Sequence, residues 1–446
     1  MNKKRSKEFF LLYFILASYM VSFDVFMVVK LGGFSFRFSQ ILLAIPILFF
    51  VINLLIRGKF KPFLGYVPLL LWFFFIALFI PNTTYLVRNI NYAVWMLFNI
   101  MLIFSFVHYV NSKERVIKLI KIYLYSFLFV GSWGIMQFLL SLAGIKPFLA
   151  TQWWPNGIVR VNGFSYEPSY FATYMLIGWS LVLYLQIKKS TLLSKRMLNL
   201  IVCVTTLSIV LSSSRMGIVI CLLWMMGYLV IFTRYLLKSQ VHLGYLKPVL
   251  IFGIGISLAA SLVLLDNSGK FDFLLAGTGL HGTASHSLDD RSTGFEDTIS
   301  VFEENPLVGR SLGGIAPAIG GLHNVLVTNQ EQAKPFEGLS TFAEVLAASG
   351  IIGFLPFILY IIILIISPLK LSRKVRDKET SKILIGMTVS LIAELIILQF
   401  NQNISRLYLW YHIGLLSATY NVYQKEYIIF KKQTYVKPES NDQLAM

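Results

Sequence analysis

The 446 residues are 56% hydrophobic and only 13% charged, about half the charged fraction of an ordinary soluble domain. The formal net charge is +18, but the basic residues fall mainly in short loops between apolar runs, so a membrane pattern accounts for them and no nucleic-acid partner is expected. Cys203 and Cys221 both lie inside apolar runs, which excludes a disulfide framework and a cysteine-based metal site; no metal or other cofactor is expected.

Runs of roughly 20 apolar residues recur along the whole chain, each long enough to cross a bilayer as a helix. A span must satisfy its own backbone, so a helix bundle or a closed barrel are the two options. Continuous apolar runs, rather than about ten residues of alternation, exclude the barrel. The expected fold class is therefore all-α: a polytopic integral membrane protein with about 12 transmembrane helices and one long extracytoplasmic loop.

The N-terminal MNKKRSKE is a basic flank followed by an apolar run too long for a signal-peptide core, read as an uncleaved first span over 9–29. Further spans are predicted at 39–56, 63–80, 89–110, 117–142, 169–187, 197–213, 215–233, 248–265, 341–367, 383–400 and 406–423. They form a transmembrane domain over 1–430, with a disordered cytoplasmic tail at 431–446. With both termini cytoplasmic, about 28 of the 39 Lys and Arg fall on the cytoplasmic side. The segment 143–168, the turn at Ser212–Arg215 and the loop 266–340 then lie outside.

That loop, 266–340, carries ten Asp or Glu and four Lys or Arg, and connections of such length are usually functional or disordered. Within it Phe295, Ile299 and Phe302 recur at helical spacing, and Asn305-Pro306 ends the predicted helix. In the following span, Gly350, Gly353 and Pro356 permit a tilt or a break.

Positive charge is depleted on the outer face, yet Arg160, Arg215, Arg291 and Arg310 all fall there. Each alone has an equally good reading as a helix cap or a headgroup contact. As a set they point to an anion site, because the planar guanidinium fork suits phosphate oxygens. His323 is the leading acid–base candidate, although a lone loop histidine is more often a surface residue. Glu167 reads equally as a helix-start carboxylate and as a base or an orienting group for an arginine. Trp153 and Trp154 are candidates for sugar stacking, with an interfacial aromatic belt as the plainer reading. His281 and His286 read as loop surface, His108 and His412 as structural. Asp24 and Glu344 are expected at the wet outer boundary. Glu394 is the deep intramembrane carboxylate, the kind that marks function by default.

The motifs RVNGFSYEP at 160–168, LSSSRMG at 211–217, ENPLVGRSLGG at 304–314, HN at 323–324 and ASGIIGF at 348–354 occur in an order and sidedness that resembles the O-antigen ligase and Wzy-type polysaccharide polymerase superfamily. The resemblance covers roughly residues 120–423. It implies a metal-independent, inverting glycosyltransferase of the bacterial cytoplasmic membrane, working on its outer face. Arg160, Arg215 and Arg291 would hold the pyrophosphate of an undecaprenyl-pyrophosphate-linked glycan donor, and His323, with Asn324 beside it, would face the acceptor hydroxyl. Arg310 departs from the plainer residue typical of the family. The implied partners are the lipid-linked donor and acceptor, membrane lipid, a flippase and a chain-length regulator. Polymerase is the preferred expectation, a glycan ligase to a lipid or wall acceptor the nearest alternative, and a lipid-linked oligosaccharide flippase or transporter the alternative of another class. Such a transporter is expected to place charges deep in several spans, often with repeat symmetry.

Overall fold

A computed structural model describes residues 3–31, 34–81, 83, 85–154, 157–238, 243–246, 249–250, 253–255, 257, 261, 284–400 and 404–435. The architecture is a helical bundle. Its helices are α1 (Lys3–Met20), α2 (Phe38–Arg57), α3 (Tyr66–Leu78), α4 (Leu86–Tyr109), α5 (Lys113–Leu142), α6 (Pro168–Ile187), α7 (Lys195–Leu211), α8 (Arg215–Leu236), α9 (Ala284–Glu304), α10 (Ile315–Leu322), α11 (Gln330–Ala333), α12 (Thr341–Ser372), α13 (Lys378–Ile397) and α14 (Leu407–Tyr435). Seven of them, α2, α4, α5, α6, α8, α12 and α13, are long and apolar enough to cross a membrane. The protein is an all-α, multi-pass membrane protein. A described helix lies at every predicted span except 248–265, most of which falls outside the described residues.

The centre of the bundle is α6, whose side chains are almost all buried. It is apolar on every side, as a helix enclosed by others must be, and packs on α7 and α13. Small residues set the closest approaches. A Cβ at Gly178 would collide with the Phe127 ring of α5, so glycine is what lets α5 and α6 meet. Around this centre α4 packs on α14, and α3 on α12. Serine and aspartate caps fix where several helices begin: Ser112, Ser194, Ser214 and Asp377 each accept a backbone N–H of the first turn.

Ion pairs and backbone bonds sort the helix ends into two groups. Glu8–Arg115 and Lys113–Asp377 hold one end together. At the other end the Asp24 amide donates to Phe164 O, and the Thr341 amide donates to Leu398 O. This second end carries every candidate residue whose side chain is described.

Three expectations are corrected. The first helix stops at Met20, short of 29, and the chain turns into an antiparallel hairpin of β1 (Val28–Leu31) and β2 (Phe34–Arg37). Asp24 explains the stop, since its carboxylate is engaged in two ion pairs, and the β-branched Val28 and Val29 suit a strand. In α9 the helix ends at Glu304 as expected, but its inward face is Gly294, Thr298 and Val301, while Phe295 is exposed. Gly294 admits Leu339, whose side chain would lie 3.1 Å from a Cβ there. The tail is helical as far as Tyr435, and 436–446 lie outside the described residues.

The expected break in the span from 341 occurs at Gly350, with φ 56° and ψ −172° inside α12. Opening the helix there exposes backbone groups that must find partners. The segment 306–311 supplies them. The amides of Arg310 and Ser311 donate to Ala347 O and Ala348 O, at 3.0 and 2.7 Å, and the amides of Ile351 and Ile352 donate to Pro306 O and Leu307 O, at 2.8 and 3.3 Å. The loop is thereby stitched into the gap in the helix. Gly309, at φ 70°, packs its α-carbon against the Ala347 and Ala348 backbone, where no side chain fits.

Candidate functional site

The segment 160–168 is held in place by Gln137 of α5. Its Nε2 donates to Phe148 O and Gly163 O, and its Oε1 accepts the Gly163 amide at 2.9 Å. Phe164 then stacks on Phe23 with ring centres 4.0 Å apart. With both neighbours fixed, Arg160 is aimed across at the turn between α7 and α8. Its Nε donates to Ser212 O at 3.3 Å and its Nη2 to Ser213 O at 3.5 Å, while Nη1 donates to Gln152 Oε1 at 3.1 Å.

The turn that receives it presents two carbonyl oxygens to the guanidinium. Ser213 takes positive φ, reversing the chain sharply, and Ser214 caps α8 by accepting the Gly217 amide. Arg215 is the first residue of α8. Arg160 is thus brought to the start of the helix whose first residue is Arg215, at the positive end of the helix dipole.

His323 ends α10, and its Nε2 lies 2.9 Å from Asp297 Oδ2 of α9. The imidazole is stacked on Phe336, with centroids 5.9 Å apart, and its other nitrogen belongs to an exposed side chain. A carboxylate that fixes one ring nitrogen selects the tautomer and leaves the other nitrogen to exchange a proton. Two residues before Phe336, Lys334 lies over the Tyr166 ring at 5.9 Å, which joins this loop to the 160–168 segment. Asn324 is exposed beside His323 and takes φ 59°.

The remaining candidates divide. Glu167 precedes Pro168 at the start of α6, and its Oε2 accepts from Ser169 Oγ at 3.2 Å, the helix-start role. Arg310 pairs with Glu304 at 3.2 Å. Arg291 lies in α9, with its side chain outside the described set, as is that of His286; His281 is outside it altogether. Trp153 and Trp154 do not act as a pair. Trp153 is exposed and bridges Val159, while Trp154 carries the Arg160 guanidinium at 5.9 Å. His412 is buried between Met387 O and Tyr123 Oη, a structural role, and His108 packs among Phe50 and Tyr109. Glu344 is buried rather than wet, and Asp24 is half-buried, its carboxylate covered by Arg37 and Arg406. Glu394 is fully buried in α13, and neither of its oxygens has a hydrogen-bond partner.

Three arginines escaped the sequence reading: Arg37, Arg88 and Arg406. Asp24 binds Arg37 at 2.7 Å and Arg406 at 2.8 Å, and Arg406 lies over the Tyr170 ring at 3.5 Å. Arg88 pairs with Glu337 at 2.6 Å. The signal available for them was weak: each sits where an apolar run begins and reads as its flank. Asp297, 26 residues from His323, offered no spacing cue. Among the described residues no group of three His, Cys, Asp or Glu is arranged to hold a metal ion.

No protein-family model matches the sequence, and a search of curated proteins returned no similar sequence.

Proposed function

We propose that the protein is a polysaccharide polymerase, transferring undecaprenyl-pyrophosphate-linked oligosaccharide repeat units into a growing capsule, exopolysaccharide or O-antigen chain. The site lies on the outer face of the cytoplasmic membrane, with both termini cytoplasmic. The observation that carries the reading is the convergence of Arg160 on the Ser212–Ser213 turn that opens α8 at Arg215. Charge on a pyrophosphate leaving group grows as its bond to the sugar breaks, and preorganised guanidiniums and helix amides stabilise it in that state. His323, oriented by Asp297, takes the proton of the attacking hydroxyl as the new glycosidic bond forms.

The test is the size of lipid-linked and surface glycan in a strain lacking the protein. Single repeat units accumulating outside, with no long chains, are the expected result. Long chains stranded on the lipid carrier would make the protein a ligase. Units trapped on the cytoplasmic face would make it a flippase and would remove the roles given to the arginines and His323.

A further inference from the structure

A cavity of about 260 Å³ is lined by none of the residues used in the reaction just described. Its charged lining consists of Arg37 from β2, Arg88 from the first turn of α4, and Arg406 just before α14; neither Asp24 nor Glu337 lines it. Three guanidiniums line the cavity and no carboxylate does, so its charged wall is positive. Gln330 brings the outer loop to the same wall.

The arginines are not satisfied by their partners. Arg88 is 3% exposed; its Nη2 donates to Tyr92 Oη and Glu337 Oε1, while its buried Nε and Nη1 find no hydrogen-bond partner among the described residues. Nε of Arg406 is buried in the same condition. A buried donor left unmade costs stability, and more when it is charged. A ligand with several acceptor oxygens removes that cost, and the guanidinium fork matches phosphate best.

The cavity also adjoins an apolar track. Val87 lines it, and Val87, Ile90, Val94 and Leu97 are all exposed on one face of α4, spaced as a continuous helical stripe. A phosphate seated on Arg88 and Arg406 can therefore carry a hydrocarbon chain along α4.

We propose that this cavity binds the phosphate or pyrophosphate of a second polyprenyl-linked molecule, its tail lying along α4. That this molecule is the glycan acceptor rests on the glycan-transfer reading; the phosphate site does not.

The test is calorimetric titration of the purified full chain in detergent with farnesyl pyrophosphate, inorganic pyrophosphate and farnesol. Farnesyl pyrophosphate is expected to fill two sites, one weakened by Arg215→Ala and the other by Arg88→Gln. Arg88→Gln should weaken its site about tenfold or more, the loss of a charge-assisted hydrogen bond. Val87→Trp keeps all three arginines and fills the mouth, so it carries the test even where Arg88→Gln fails to fold; it should lower affinity at the same site. Inorganic pyrophosphate binding there as tightly as the farnesyl ester would overturn the lipid assignment. Unchanged two-site binding in Val87→Trp would overturn the cavity altogether. Loss of one binding site by Arg88→Gln in a protein whose deletion leaves glycan length unaltered would keep the phosphate site and remove the glycan-transfer reading.

Discussion

Replacing Gly350 with alanine should release the outer loop. The native φ of 56° with ψ of −172° falls close to a region that is essentially reserved for glycine, and forcing another residue there costs about 1–3 kcal/mol. The added Cβ would also meet the Leu307 carbonyl group and the Val308 nitrogen. These are backbone atoms, so relief requires the 306–311 segment to move. Moving it breaks the four bonds that join 306–311 to α12, from the Arg310, Ser311, Ile351 and Ile352 amides, each worth about 0.5–1.5 kcal/mol net. The sum is roughly 3–9 kcal/mol, most of it local to the stitch. Hydrogen exchange of the Arg310, Ser311, Ile351 and Ile352 amides measures it directly, because all four bonds open together when the segment lifts. Gly227→Ala is the control, since a Cβ there meets nothing within 4 Å and alanine in a helix interior is favoured by about 0.5–1 kcal/mol. Wild-type protection of the four amides in Gly350→Ala would refute the stitched-helix account.

Arg215→Ala and Arg291→Ala should each abolish polymer while the protein still reaches the membrane; normal polymer from both would remove the anion-site argument. His323→Ala should slow transfer by about 10²–10⁴, and Asp297→Asn should also lower the rate, because the imidazole loses the carboxylate that fixes its tautomer. An unaltered rate in Asp297→Asn would reduce the pair to a surface contact. A cysteine at Leu326, which is 73% exposed, placed in a protein with Cys203 and Cys221 replaced by serine, should react with an impermeant reagent from outside the cell. Labelling only after the membrane is opened would invert the topology.

The helices were legible because length and apolarity alone determine them, and the breaks at Gly350 and Asn305-Pro306 because glycine and proline act locally. What escaped was whatever depends on distant partners. Phe295 has the hydrophobicity of a buried residue, but the small Gly294 and Thr298 decide which face of α9 meets Leu339. The run at 20–29 looks like membrane, yet Asp24 is called out of the helix by arginines at positions 37 and 406. Arg160 and Arg215 could be named singly, whereas the reach of Arg160 to the Ser212–Ser213 carbonyls just before Arg215 could not. The Asp297–His323 pair was invisible for the same reason, since a carboxylate in an acidic loop stands out only once two helices have brought it to an imidazole.

The Asp24 carboxylate, gripping Arg37 on one side and Arg406 on the other, joins two parts of the chain that lie 382 residues apart in sequence. Arg406 enters only when α14 begins, so a nascent chain holds Asp24 and Arg37 but lacks the third arginine of the cavity. A protein cut short after α13 would keep most of its helices and still have no completed charged chamber. The clasp thus ties the end of α1 to the start of α14, and the cavity's three guanidiniums come together only when α14 packs.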